Sequence, residues 1–413
     1  MPALWIMSRA CVITIGCRLN QYYSQMVREM LGKAGYEISG SDPDLVIINA
    51  CAVTGRAERD TRKAARKALA SSERVIVTGC PGESIRALGF QVMTYEELAR
   101  ELGIKNPEGI SGFSGRARAY LRVQAGCDLS CAYCVVPRMR GPSVSRSTEE
   151  IIREAERLAG AGFKELVITG TQIGDWRDGN RGLAWLLGEL LERIPGVRFR
   201  LSSVEPQYLN EELIGVMANA GWRVADHLHL PLQSGSDKVL SEMGRPYTLR
   251  EYEEKALLAL SAMPNLAIGT DVIVGFPTET ESDFQNTLSF LRDFPLAYAH
   301  IFSYSKRPGT RAYHLGELDS RTLKMRVKTL LETDRTKRLE FSERFVGEEL
   351  VVIGEKRVGD ATLATSGNYL RMRVKGLTPG HLARVRMVSL GKGELVGRAS
   401  CPPQNLEKNI CQR

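Results

Sequence analysis

Three short apolar runs open the chain, at residues 12–15, 45–48 and 75–77. Each leads within three residues to a cysteine: Cys17, Cys51 and Cys80. Runs rich in valine and isoleucine, short and bounded by polar residues, predict buried parallel strands. The segments between them, residues 20–34 and 57–70, carry apolar positions at helical spacing, so residues 1–112 read β-α-β-α-β. That rhythm predicts an open α/β sheet of the Rossmann or flavodoxin-like kind. Ligands of such sheets gather beyond the carboxyl ends of the strands. Cysteines far apart in sequence are thereby expected to meet in space.

After a linker containing proline and glycine, residues 106–115, six strand-then-helix units follow. The strands are predicted at 119–124, 165–169, 198–202, 227–230, 267–274 and 300–304. The clearest helix is 148–159, with Ser147 as its N-cap and Glu150 completing a capping box. Six β/α units predict a partial (β/α)6 barrel over residues 117–345, and polar groups cluster where its strands stop, the face on which barrel sites are built. These are Gly170-Thr171-Gln172, the stretch from Ser202 to Pro206, the stretch from Pro231 to Ser236, and Gly275-Phe276-Pro277. A charged helical pattern, 321–344, then gives way over residues 346–400 to five short alternating runs at 349–353, 361–365, 370–374, 381–387 and 394–399. Those predict a small closed β-barrel. Cys401 and Cys411 belong to a tail.

A length of 413 residues suits two or three domains, and 43% hydrophobic with 25% charged residues is globular composition. No apolar run approaches a membrane span and the first residues lack signal-peptide order, so the expected location is cytoplasmic, with no membrane partner. Nine cysteines in that setting point to metal or redox chemistry. The net charge of +8 and a pI near 9.0 favour an anionic partner such as nucleic acid. In the last segment Arg371 and Arg373, and Arg384 and Arg386, fall at alternate positions, so each pair shares one face of its strand and is a candidate RNA contact. Tyr369 is a candidate for base stacking. The basic run Arg56, Arg59, Arg62, Lys63, Arg66, Lys67 is either a solvated helix face or a phosphate-contacting stripe.

The sharpest chemical signal is Cys127, Cys131 and Cys134, spaced C-x3-C-x2-C directly after the first barrel strand. Three thiolates in one loop hold a 4Fe-4S cluster by three irons and leave the fourth open. A structural zinc site wants four ligands, and no fourth Cys or His lies nearby. Cys17, Cys51 and Cys80 are assigned a second cluster of the same kind, the alternative being three ordinary buried cysteines. Cys11 is read as structural.

The three-cysteine loop resembles the signature of the radical S-adenosylmethionine (SAM) superfamily. The stretches HLPLQSGSDKVLSEMGRPYT, TDVIVGFPTET and FSYSKRPGT, with the three-cysteine first domain, resemble the radical SAM methylthiotransferases to about Gly397. This resemblance implies that the open iron chelates SAM and that Tyr133 lies near the adenine. It further implies that Gly170, Thr171 and Gln172 line the site of the SAM amino group, Ser203 and Glu205 the ribose side, and Val274 the adenine. Gln233 is placed in the same cofactor set, against the reading of a structural amide. The last segment resembles the TRAM RNA-binding module. Val144 stands where the family usually carries arginine, Thr278 where it usually carries glycine, and Pro81-Gly82 after Cys80 is uncommon there.

An unactivated C–H bond offers no acidic proton to a side-chain base. The resemblance implies that the first cluster donates an electron to SAM, generating a 5′-deoxyadenosyl radical, while the second holds the sulfur to be inserted and a second SAM supplies the methyl group. The expected partners are a tRNA substrate, an external electron donor and a sulfur source. Residues 16–22 and 49–54 look most like the group acting on threonylcarbamoyladenosine in tRNA. The alternatives are isopentenyladenosine in tRNA and a ribosomal-protein aspartate. From other classes, an iron–sulfur electron-transfer protein would usually give each iron a cysteine, and a non-catalytic RNA-binding protein would leave the SAM-type motif unexplained.

Overall fold

The computed structural model describes residues 8–105, 109–391 and 394–399. The first sheet contains β1 (Arg9–Thr14), β2 (Glu37–Ile38), β3 (Leu45–Ala50), β4 (Arg74–Gly79) and β5 (Gln91–Val92), ordered β2-β1-β3-β4-β5 and parallel throughout. This flavodoxin-like order changes direction between β1 and β3, the switch point at which such sheets bind ligands. The edge strands β2 and β5 are two residues long and leave no periodicity to read. Helix α1 (Arg18–Lys33) starts immediately after Cys17, and α2 (Gly55–Leu69) starts behind Thr54, whose side chain accepts from the Ala57 amide.

The central part has β6 (Ala119–Arg122), β7 (Glu165–Thr169), β8 (Arg198–Leu201), β9 (His227–His229), β10 (Ala267–Val274) and β11 (Tyr298–Ser303). They form two three-stranded parallel sheets, β8-β7-β6 and β9-β10-β11, joined by isolated parallel bridges Phe199↔Val224 and Ser203↔His229. The result is the expected six-stranded partial barrel. Its last strand begins two residues earlier than expected, because buried Tyr298 and Ala299 pair with Gly269 and Thr270. The short α3 (Val136–Arg140) follows the cysteine loop, and α4 (Thr148–Gly160) carries the Ser147/Glu150 capping box. One hydrophobic core joins α1 (Tyr22, Met26, Met30) to β6 and β7, so the first sheet packs directly on the barrel.

After α5 (Ser320–Glu343), the strands β12 (Glu349–Val358), β13 (Ala361–Ser366), β14 (Arg371–Lys375), β15 (Leu382–Gly391) and β16 (Glu394–Ala399) close a barrel in the order β12-β13-β14-β16-β15. It docks on the central barrel at the strand-entry end, where Ala267 and Tyr298 share a core with Val352, Met372 and Val385. Beside that core, Glu165 is fully buried between Arg198 and Arg200, with Arg118 3.5 Å away. The guanidinium groups pass onward to main-chain oxygens of the small barrel: Arg198 donates to Val351 O (2.7 Å), and Arg200 to Ser366 O and Gly367 O (2.9 Å each).

Tyr369 corrects an expectation. Its ring stacks on His227 at 4.7 Å between centroids, and its hydroxyl accepts from Arg18 at 3.3 Å. It therefore belongs to the junction of the three parts and is not a platform for a nucleobase. The tail with Cys401 and Cys411, and residues 106–108 of the linker, lie outside the described residues. Among the described residues no helix is long and apolar enough to cross a membrane.

Candidate active site

The loop carrying Cys127, Cys131 and Cys134 is built on Gly126, at φ +80°, where a Cβ would stand 1.7 Å from Pro142 O. Only glycine allows the chain to turn there. The Cys127 thiol donates to Gln172 Oε1 (3.1 Å), Arg245 Nη1 donates to Cys131 Sγ (3.3 Å), and the Val136 amide to Cys134 Sγ (3.4 Å). Hydrogen bonds of this kind to sulfur tune an iron–sulfur cluster. Burial pushes the Cys127 thiol up to about 12 and Cys134 to about 11, and the fields of the neighbouring cysteines act in the same direction. Binding of iron at these thiols therefore releases protons.

Of the other residues expected at SAM, Gln172 touches this loop through Cys127 and Glu205 lies close enough to act on Cys127 through its charge. Gln124 Oε1 accepts from the Thr171 and Gln172 amides (3.0 and 2.9 Å), and a Cβ at Gly170 would meet Gln124 O at 2.9 Å. Ser203 sits at the seam of the two half-sheets, bridged to His229. Gln233 has φ +72°, and its main chain pairs with β10 through Asp271 O (2.8 Å) and Ile273 N (3.0 Å). Such a conformation in a residue other than glycine is a mark of functional sites. Tyr133 is half-buried against a cluster containing Met243 and Phe276. Val274 is fully buried in the main core, and its carbonyl accepts from the Tyr304 amide (2.8 Å).

Glu205 is buried, and burial raises its carboxyl to about 7 against the opposing field of Arg245. Thr171 Oγ1, Glu205 Oε2 and Arg245 Nη2 are buried without a hydrogen-bond partner among the described residues. A hydroxyl, a carboxylate and a guanidinium left unsatisfied around one loop fit a polar ligand with both charges and hydroxyls, which is the character of SAM. Arg245 lies inside the family-like stretch ending at Thr248, where nothing in the sequence marks it for this site. A second group without a mark in the sequence is His229, Asp271 and His300, on β9, β10 and β11. Their ligand atoms lie within 4.8 Å of one another, with His229 Nε2 3.0 Å from Asp271 Oδ1.

Cys17, Cys51 and Cys80 also converge, at the ends of β1, β3 and β4. Gly16, at φ +107°, lies so close that a Cβ there would be 2.7 Å from Cys51 Cβ. Burial raises Cys51 to about 11, with the fields of Cys17 and Cys80 acting in the same direction, and burial raises Cys80 as well, with Cys17 adding to it. Cys51 and Cys80 are buried while Cys17 is exposed, so the trio has one side open. Arg140, at the end of α3 and six positions beyond Cys134, reaches into this site. Its guanidinium donates to the Asn20 side chain, and its charge acts on Cys80 and Cys17. Nothing in the spacing of Arg140 along the sequence marks it out.

On the small barrel Arg371, Arg373 and Arg386 are exposed and Arg384 is half-buried. Arg386 stands 3.6 Å from Glu349. The two arginine pairs are on strands separated by β16, whose Arg398 is opposite both Lys375 and Arg386. A basic row thus crosses three strands, and seeing it requires the strand order. On α2 the side chains of Arg56, Arg59, Lys63, Arg66 and Lys67 are exposed and Arg62 is half-buried.

A model of the radical SAM superfamily matches residues 121–291, and one described as uncharacterized protein family UPF0004 matches residues 9–92. The chain is 36% identical over 411 residues to the threonylcarbamoyladenosine tRNA methylthiotransferase MtaB of Aquifex aeolicus (strain VF5), covering 90% of this chain and 98% of that protein. It is 32% identical over 428 residues to the tRNA-2-methylthio-N(6)-dimethylallyladenosine synthase of Ruegeria pomeroyi (strain ATCC 700808 / DSM 15171 / DSS-3), covering 93% and 97%. Among solved structures, the radical S-adenosylmethionine methyltransferase TsrM of Kitasatospora setae, with tryptophan substrate and a SAM analogue bound, is similar in fold. Its TM-score is 0.55 at 14% identity, covering 74% of this chain and 75% of that one.

Proposed function

The chain belongs to the radical SAM methylthiotransferase family, and from that premise we propose that it inserts a methylthio group at carbon 2 of threonylcarbamoyladenosine beside a tRNA anticodon. The observation that carries the reading is the pair of three-cysteine sets, one in the loop after β6 and one at the ends of β1, β3 and β4, with Arg140 reaching from the first to the second. Cys127, Cys131 and Cys134 would hold the SAM-binding 4Fe-4S cluster, and Cys17, Cys51 and Cys80 a second one with an open iron for sulfur. When bound, SAM and the clusters supply one-electron chemistry and sulfur for a C–H bond that no side-chain base could deprotonate.

The chain's own groups bind and orient. Gly170, Thr171 and Gln172 offer main-chain and side-chain partners to the SAM amino group. Ser203 and Glu205 face the ribose, Arg245 the carboxylate, and Tyr133 and Val274 the adenine, with Gln233 shaping the loop beside them. Arg371, Arg373, Arg384 and Arg386 contact RNA phosphates, and the electron and the sulfur come from external donors in the cytoplasm. The segments 1–112, 117–345 and 346–400 are taken as the corresponding domains. The choice of threonylcarbamoyladenosine is supported by residues 16–22 and 49–54 and by the names of relatives such as the Aquifex protein.

Mass spectrometry of tRNA nucleosides from cells with and without the gene tests this. Loss of the methylthio form with accumulation of unmodified threonylcarbamoyladenosine is expected. Loss confined to the isopentenyladenosine derivative, or no change in tRNA, would overturn the substrate assignment.

A further inference from the structure

A cleft of about 860 Å³ opens where α1, residues 113–118 and the small barrel meet. That is near the upper end of small-molecule pockets, roughly 300–1,000 Å³. Its lining, however, suits a polyanion. Two of its basic residues are engaged internally: Arg118 with Glu165 and Glu355, and Arg28 with Val12 O at 3.2 Å. Arg116, Lys356 and Arg371 are exposed in it, and they come from three separate stretches of the chain. The acidic residue in the lining, Glu355, is held by Arg118 and by Thr365 (2.8 Å). The net character toward a ligand is therefore cationic.

Two further observations narrow the ligand. The Arg116 guanidinium lies 6.0 and 5.9 Å from the ring centroids of Phe113 and Tyr120, and a guanidinium face is a surface on which an unstacked base can rest. Gly16 also borders the cleft, and it adjoins Cys17 and touches Cys51. A chain lying in the cleft would run from the small barrel to the edge of the second cysteine set.

We propose that this cleft binds a short single-stranded stretch of the substrate RNA next to the modified nucleotide, with Arg116, Lys356 and Arg371 on its phosphates and the Arg116 plane under a base. The inference rests on the tRNA reading above and adds a site to it. In a mixed sheet-and-barrel enzyme of this shape, the small barrel alone would give affinity without fixing which nucleotide reaches the cysteines. The cleft supplies that register.

The test uses full-length protein with reconstituted clusters and measures binding of an anticodon stem-loop, and of a duplex of the stem alone, across a KCl series. The double variant Arg116→Ala/Lys356→Ala is expected to bind the stem-loop at least tenfold more weakly. Its log–log salt slope should be shallower by about 0.7 per lost contact. Duplex binding should change less, and Arg116→Lys should restore the slope but only part of the affinity. If the parent binds no RNA, the tRNA reading fails. If the parent binds and the double variant keeps the same affinity and slope, the cleft assignment fails. A second measurement needs no variant: hydrogen exchange of the amides in residues 113–118 should slow when the parent binds the stem-loop, and unchanged exchange there would overturn the proposal.

Discussion

Arg140 donates to the Asn20 side chain and sets its charge beside Cys80, so a side chain from the helix that follows one set of cysteines reaches a member of the other. The contact crosses between the first sheet and the central barrel. It places a permanent positive charge where thiolates and a further anionic sulfur would gather, in a setting that burial makes hostile to negative charge. Outer-shell groups beside metal ligands typically carry a 10–100-fold share of affinity or activity.

Arg140→Met should therefore lower sulfur insertion by about 10–100-fold while 5′-deoxyadenosine formation from SAM is reduced far less. The redox potential of the second cluster, followed by electron paramagnetic resonance, should fall, and Arg140→Lys should recover part of that shift. An unchanged potential in Arg140→Met would remove the residue from this role.

The two cysteine sets should separate by mutation. Cys127→Ala is expected to abolish reductive SAM cleavage, since three thiolates are needed to hold the cluster. Replacing Cys17, Cys51 and Cys80 together should leave that cleavage detectable, eliminate methylthiolation and lower the iron content. Iron equal to the parent in the triple variant would refute the second cluster.

Glu205 should make the cluster-free protein less stable as pH rises. Its folded carboxyl titrates near 7, against about 4.3 in the unfolded chain. The folded state thus holds the proton more tightly, an advantage complete below about pH 4.3 and lost as pH rises through 7, on the order of 3 kcal/mol in all. In Glu205→Gln the denaturation midpoint should fall less between pH 5 and pH 7.5 than in the parent. Parallel pH profiles for the two proteins would count against this.

Glu165→Gln addresses the junction with the small barrel. The carboxylate is fully buried, and Arg198, Arg200 and Arg118 hold it well below the usual range, against its burial. Removing one charge of such a group leaves the others uncompensated and costs about 3–5 kcal/mol. Because the folded value is depressed, this stabilisation is present above about pH 4.3 and declines as pH falls below it. Urea denaturation at pH 7 should show the loss. A change under about 1 kcal/mol, the range of exposed ion pairs, would mean that water already reaches the site.

Much of this was legible along the chain because short apolar runs ending on polar residues are read directly as strands, and Cys17, Cys51 and Cys80 were each anchored to such a run. The Ser147/Glu150 capping box was legible for the same local reason. Arg140, Arg245 and Arg398 were not, since each acquires its meaning from a partner distant in sequence: Cys80, Cys131, and the strands on either side of β16. Tyr369 was misread because an aromatic among basic residues looks the same in sequence whether it faces solvent or stacks on His227.

Of the arginines beneath the central barrel, Arg198 and Arg200 grip main-chain oxygens of Val351, Ser366 and Gly367 rather than side chains. Every residue type presents the same carbonyl, so natural variation at those three positions is invisible to the grip so long as the path of the chain is kept. Relatives that keep Glu355 and Tyr369, whose side chains meet Arg118 and His227, could then vary the rest of their terminal barrels without redesigning the joint. Insertions or deletions in the turn between β13 and β14 would be the changes such a joint could not tolerate.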